Sequence, residues 1–191
     1  MPRRLFGDCW AEGELAILFA DTGLGKSALA TQIANSICTG DPISPQFQME
    51  AAPQTALYID CELTGMQLQK RYAVERRDGD GIVYADHYCF SDNLYRVEIN
   101  CASRFIDSIE DWEPSMIRAI EHQIVASGAK VVVIDNISYL TSEADKGKFA
   151  LPLMQRLNDL KKQHGLAILV SGTHTEALFR SSTYHRQSGR L

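Results

Sequence analysis

Residues Glu14 to Ile37 read ELAILFADTGLGKSALATQIANSI, and this stretch decides the fold. Glu14 to Ala20 is a short apolar run with the pattern of a buried strand. Asp21, Thr22, Gly23, Leu24 and Gly25 cannot continue it, and from Lys26 to Ile37 the apolar positions take up helical spacing. A strand, a glycine turn and a helix opening on Lys26-Ser27 make a phosphate-binding loop in the context such a loop requires. Glycines let backbone N–H groups turn inward around phosphate oxygens, and the helix N-terminus adds partial positive charge. Asp21, Thr22, Gly23, Leu24, Gly25, Lys26, Ser27 and Ala28 are therefore the expected contacts of a nucleoside triphosphate, ATP. Lys26 is expected to reach the β- and γ-phosphates, and the Ser27 hydroxyl to ligate Mg²⁺. Ala20 stands where this pattern usually has glycine; the position closes the strand, and one methyl group is tolerable there.

Alternation along the rest of the chain is the second clue. Gln54–Asp60 reads as a strand, Thr64–Arg77 as a helix and Gly81–Phe90 as another strand. Pro114–Ser127 reads as an amphipathic helix with Pro near its first turn, ended by Gly128. Lys130–Asp135 is the clearest buried strand. Phe149–His164 is a helix with Leu151, Met154, Leu157 and Leu160 on one face, and Leu166–Ser171 is the last strand. Ser91–Glu113 shows no strong period. Strands separated by helices imply an α/β fold, a mostly parallel sheet with helices on both faces.

At 191 residues the chain suits one domain with a real core, and 45% hydrophobic with 23% charged residues reads as globular. A formal charge of −5 argues against a nucleic-acid coat or a membrane-surface protein as a whole, without excluding a local basic site. The five cysteines show no C-x-x-C spacing, so most of them are expected to be small core residues in a reducing cytosol. No apolar stretch approaches a membrane span, and Met1–Phe6 lacks the apolar length of a signal peptide. A cytoplasmic protein without a membrane partner is expected. Both ends look cut from something longer.

In open parallel sheets, ligands sit beyond the carboxyl ends of the strands. Those ends carry Gly23 to Ser27, Asp60 and Glu62, Asp135 and Asn136, and Thr173 and His174. Asp135, after Val131-Val-Val-Ile134, has the form of the aspartate that holds the Mg²⁺ shell through water or through Ser27. Glu62 is the candidate general base that orients a water in line with the γ-phosphate. Two alternatives stay open here: Glu62 caps the helix beginning near Thr64, or Asp60, on the same side of the strand, is the base. His174 either senses the γ-phosphate or is merely exposed in a loop. After Glu176 no acidic residue follows, and Arg180, His185, Arg186 and Arg190 alternate with Ser, Thr and Tyr184. This basic tail, 177–191, suits single-stranded DNA contact with Tyr184 stacking on bases. It equally suits an arginine reaching into a neighbour's ATP site, or a disordered end.

Taken together, Trp10-Ala-Glu-Gly-Glu-Leu15, the loop Ala20–Ser27, Leu57-Tyr-Ile-Asp-Cys-Glu62, Val133-Ile-Asp-Asn136 and Leu169-Val-Ser-Gly-Thr-His174 resemble a RecA-like P-loop ATPase. The group is that of RepA, DnaB and KaiC, and the likeness is strongest to RepA-like AAA-family ATPases of bacterial plasmids and mobile elements. The resemblance implies a single RecA-like domain over 1–191, a hydrolytic role for Glu62, and assembly into a homo-oligomer, for which a hexameric ring is one form. It also places Thr141–Lys148 and the basic tail where ring helicases carry channel-facing loops. Ala20 departs from the family pattern, as does the lack of the strands that normally follow the tail, which implies a fragment and leaves helicase activity open. Three functions compete: an ATPase motor or switch acting with DNA, an ATP-gated scaffold with little turnover, and a small-molecule kinase. No arginine-rich lid sequence supports the last.

Overall fold

Four apolar runs of the sequence become four adjacent parallel strands, and a fifth strand joins them from a stretch with no apolar period. The computed structural model describes residues 1–77, 79–81, 83–99, 109–137 and 146–173. In chain order the elements are β1 Arg4–Phe6, β2 Trp10–Ala11, β3 Leu15–Phe19, α1 Lys26–Thr39, β4 Ala56–Asp60, α2 Gly65–Arg71 and β5 Ala73–Arg77. They continue with β6 Val83–His87, β7 Leu94–Glu98, α3 Ile109–Ser127, β8 Val131–Asp135, α4 Lys146–His164 and β9 Ala167–Gly172. The main sheet runs β3-β9-β8-β4-β7 with every pairing parallel.

Strand alternation divides the core in two. Leu57 and Ile59, Val132 and Ile134, and Ile168 and Val170 point to one face, where they pack on Met116, Ile120 and Ile124 of α3 and Leu153, Leu157 and Leu160 of α4. Ala56 and Tyr58, Val131 and Val133, and Ala167 and Leu169 point to the other, against Ala30, Ile33, Ala34 and Ile37 of α1. Ala30 and Ala34 lie one turn apart and are fully buried, so α1 approaches the sheet closely. Leu5 and Trp10, from the antiparallel β1-β2 pair, close this second core. The expected parallel sheet covered on both faces is what forms.

Several local expectations are corrected. The helix expected over Thr64–Arg77 stops at Arg71, and its last residues form β5, which pairs antiparallel with β6. The sequence between β5 and β6, Asp78-Gly-Asp-Gly-Ile82, carries a turn signal, and Gly81 has φ 78°. The strand expected at Gly81–Phe90 is thus β6 of a separate hairpin rather than a member of the main sheet. In the stretch read as irregular, Leu94–Glu98 forms β7 at the sheet edge. Alternating Arg96 and Glu98 mask its strand character, and an edge position tolerates them. Helix α3 begins at Ile109 instead of Pro114, so Pro114 lies inside it. On α4 the buried residues are Leu153, Leu157 and Leu160 with Met154 beside them, whereas Leu151 is 61% exposed. Cys38 and Cys61 are buried as expected, but Cys9 and Cys89 are exposed.

Candidate functional site

The loop after β3 is shaped by two glycines in the left-handed region, Gly23 at φ 82° and Gly25 at φ 83°. A Cβ at either would meet no atom within 4 Å, so backbone conformation and not crowding calls for glycine. Gly25 is the N-cap of α1, which has no side-chain cap and no acidic residue in its first turn. Its amides and the positive end of its dipole are thus left for an anion. α2 is built the opposite way: Thr64 and Gln67 form a complete capping box. Lys26 is only 8% exposed, and its Nζ donates to the carbonyls of Ala20 and Asp21, both at 2.8 Å, which folds it over its own loop. Asp21, Thr22, Gly23, Leu24 and Ala28 are exposed, and Ser27 is half-buried.

Parallel register lines up the strand ends. Phe19 pairs with Gly172, and Asp60 pairs with both Asp135 and Glu98. Asp135 is 2% exposed and both its oxygens are engaged. Tyr58 Oη donates to Oδ2 at 2.6 Å, and Ser171 Oγ donates to Oδ1. Thr31 Oγ1, one turn beyond Ser27, lies 2.8 Å from the Ser27 carbonyl oxygen and 3.2 Å from Tyr58 Oη. A chain of hydroxyls therefore ties the first turn of α1 to Asp135. Burial first, and then the Asp135 charge, push the Tyr58 phenol pKa far up, so it stays a donor. For Mg²⁺, which keeps several waters, this donor set fits: Ser27 offers a hydroxyl, and Asp135, held on both oxygens, suits the outer shell through water.

Of the two carboxylates at the end of β4, the structure gives each a distinct setting. Asp60 is 1% exposed; its Oδ1 accepts from the amides of Glu62 and Leu63, and its Oδ2 accepts from Arg96 Nε and Nη2. Glu62 is exposed, and its carboxylate makes no hydrogen bond or ion pair among the described residues. The capping role weighed for Glu62 belongs instead to Thr64. Partial burial of the carboxyl, then the charge of Asp135, raise the Glu62 pKa above the ordinary range, with Arg71, the Asp60 charge and Lys26 as smaller influences. His174, Arg180, Arg186 and Arg190 lie outside the described residues, as do residues 141–145 before α4.

The raised pKa has a consequence for stability. Protonated Glu62 contributes stability that is fully present below its unfolded pKa of about 4.3 and lost as pH rises through the higher folded pKa. Glu62→Gln keeps the neutral form at every pH. The variant is therefore expected to melt no lower than wild type at pH 7, with the difference vanishing near pH 4. Melting curves across that range check this, and a clearly lower Tm at pH 7 contradicts it.

Sequence reasoning missed Tyr58, Ser171, Thr31 and Arg96. The available signal was a tyrosine inside a buried strand, since a buried phenol needs a partner. Arg96 gave none, because its strand was not recognised.

Residues 1–175 match the family described as AAA domain. The fold is similar to a KaiC-like protein from the hyperthermophilic archaeon Pyrococcus horikoshii OT3, with TM-score 0.54 and 15% identity over 90% of this chain and 67% of that one. No curated protein sequence matches.

Proposed function

The chain belongs to the AAA domain family, and from that premise we propose that it is a Mg²⁺-dependent ATPase that hydrolyses ATP as a DNA-associated, RepA-like motor or switch in a homo-oligomer. One observation carries the hydrolytic part. The carboxyl ends of parallel β3, β4 and β8 bring an uncapped helix terminus with Lys26 and Ser27, a Glu62 carboxylate unengaged among the described residues and a doubly held Asp135 to one edge of the sheet. The loop amides and Lys26 bind the phosphates, and Lys26 offsets charge that builds on the β–γ bridge as it breaks. Glu62 orients a water and takes its proton. Ser27 would hold the Mg²⁺ and Asp135 its waters; when bound, the ion neutralises the phosphate oxygens. The DNA and oligomer parts rest on the acid-free stretch after Glu176 with Arg180, Arg186, Arg190 and Tyr184, and on the resemblance already described.

Phosphate release from ATP, measured with Mg²⁺ or EDTA, with and without single-stranded DNA, and across a protein concentration series, tests the reading. Release is expected without any added acceptor, to need Mg²⁺, to rise with DNA and to rise per chain with concentration. Tight ATP binding without release points to a scaffold, and transfer to a nucleoside points to a kinase. A rate indifferent to DNA at low and high salt removes the DNA part alone.

A further inference from the structure

We propose that Arg96 is the positioning residue of this site: through Asp60 and the Leu63 carbonyl it fixes the turn that presents Glu62. The proposal rests on the hydrolytic reading of Glu62 above. Residues 61–65 join β4 to α2, and each of their five successive amides has an acceptor. Cys61 N donates to the Asp135 carbonyl at 2.6 Å, and Glu62 N and Leu63 N donate to Asp60 Oδ1 at 3.1 and 2.8 Å. Thr64 N donates to Gln67 Oε1, and Gly65 N to Glu98 Oε2, both at 2.9 Å. Arg96 Nη2 also donates to the Leu63 carbonyl. A surface connection ordinarily leaves such groups to water. Here every amide of the turn is held while the Glu62 side chain is left exposed, with no hydrogen bond or ion pair among the described residues, which is the arrangement that pre-organises a base.

The anchorage comes from the sheet edge. α2 has seven residues and buries none of them, so it cannot hold the turn by packing. Arg96 and Glu98 stand two apart on β7, and Asp60 pairs in register with Glu98. Asp60 is too deeply buried to carry charge without a partner, and Arg96 supplies it with Nε at 3.0 Å and Nη2 at 2.9 Å. The planar fork reaches the carboxylate and the Leu63 carbonyl together, which a lysine cannot. Arg96 is thus one step removed from the chemistry, acting on the position of Glu62.

The test is single-turnover ATP hydrolysis and nucleotide affinity of the full chain carrying Arg96→Met, Arg96→Lys, or Asp60→Asn with Arg96→Gln. The last pair keeps a hydrogen bond without stranding a buried charge. Expected is a fall in the rate constant of ~10- to 100-fold with ATP affinity within about threefold, partial recovery in Arg96→Lys, and faster amide exchange at Glu62 and Leu63 with β8 and β9 unaffected. In a Glu62→Gln background, Arg96→Met is expected to lower the rate no further, because both act through one carboxylate. An undiminished rate in Arg96→Met, an equal further loss in that background, or joint loss of fold and ATP affinity in every variant overturns the proposal. If Glu62→Gln alone turns over normally, or wild type does not turn over, the reading of Glu62 fails and the proposal with it. If Glu62→Gln is impaired and Arg96→Met is not, only the clamp fails.

Discussion

Lys26→Ala is expected to lower ATP affinity by ~10²-fold or more while leaving the fold intact. The side chain is buried at the mouth of the loop, and its ammonium is already held 2.8 Å from two loop carbonyls, so its charge is fixed where phosphate oxygens would gather. Two charge-assisted hydrogen bonds at about 1.5–3 kcal/mol each are enough for that loss. Alanine is a good helix former at the first position of α1. The carbonyls it releases belong to Ala20, half-buried, and Asp21, exposed, so water can reach them. Calorimetric titration with ATP, with far-ultraviolet circular dichroism as the control, measures both quantities. An affinity within threefold of wild type means that the loop does not hold phosphate.

Glu62→Gln is expected to bind ATP as wild type does and to lose ~10²- to 10⁴-fold in turnover, the range for removal of a positioned general base. The substitution keeps shape and removes only the ability to take a proton. Asp60 offers no substitute, since its oxygens are committed to two amides and to Arg96. Asp135 is likewise engaged by Tyr58 and Ser171. Single-turnover hydrolysis with saturating ATP is the measurement, and near-normal rates would remove Glu62 from the chemistry.

What could be read in advance followed the strength of local signals. The phosphate loop, the Asp135 strand and α1 were legible because buried parallel strands are written as apolar runs and the turn as glycines. β7 was not legible, because an edge strand can carry Arg96 and Glu98 in alternation and then looks like a loop. The end of α2 was also misplaced: its helical pattern ran on past Arg71, and only the Asp-Gly-Asp-Gly turn marked the hairpin. Glu62 and Asp60 looked equivalent from strand periodicity, which assigns a side but not a partner.

The sequence by itself determined four of the five strands of the central sheet and which polar residues stand at its carboxyl edge. Both follow from near-neighbour physics, namely side-chain periodicity and the conformations glycine allows. Tertiary structure alone decided what those residues do to each other. Whether a carboxylate is spoken for depends on strands far apart in the chain, as when Arg96 reaches Asp60 across the edge of the sheet or Tyr58 meets Asp135 across 77 positions. In the folded protein, burial makes such pairing obligatory for Asp60 and Asp135, and it is this that leaves Glu62, among the described residues, as the carboxylate of the site with no partner to hold.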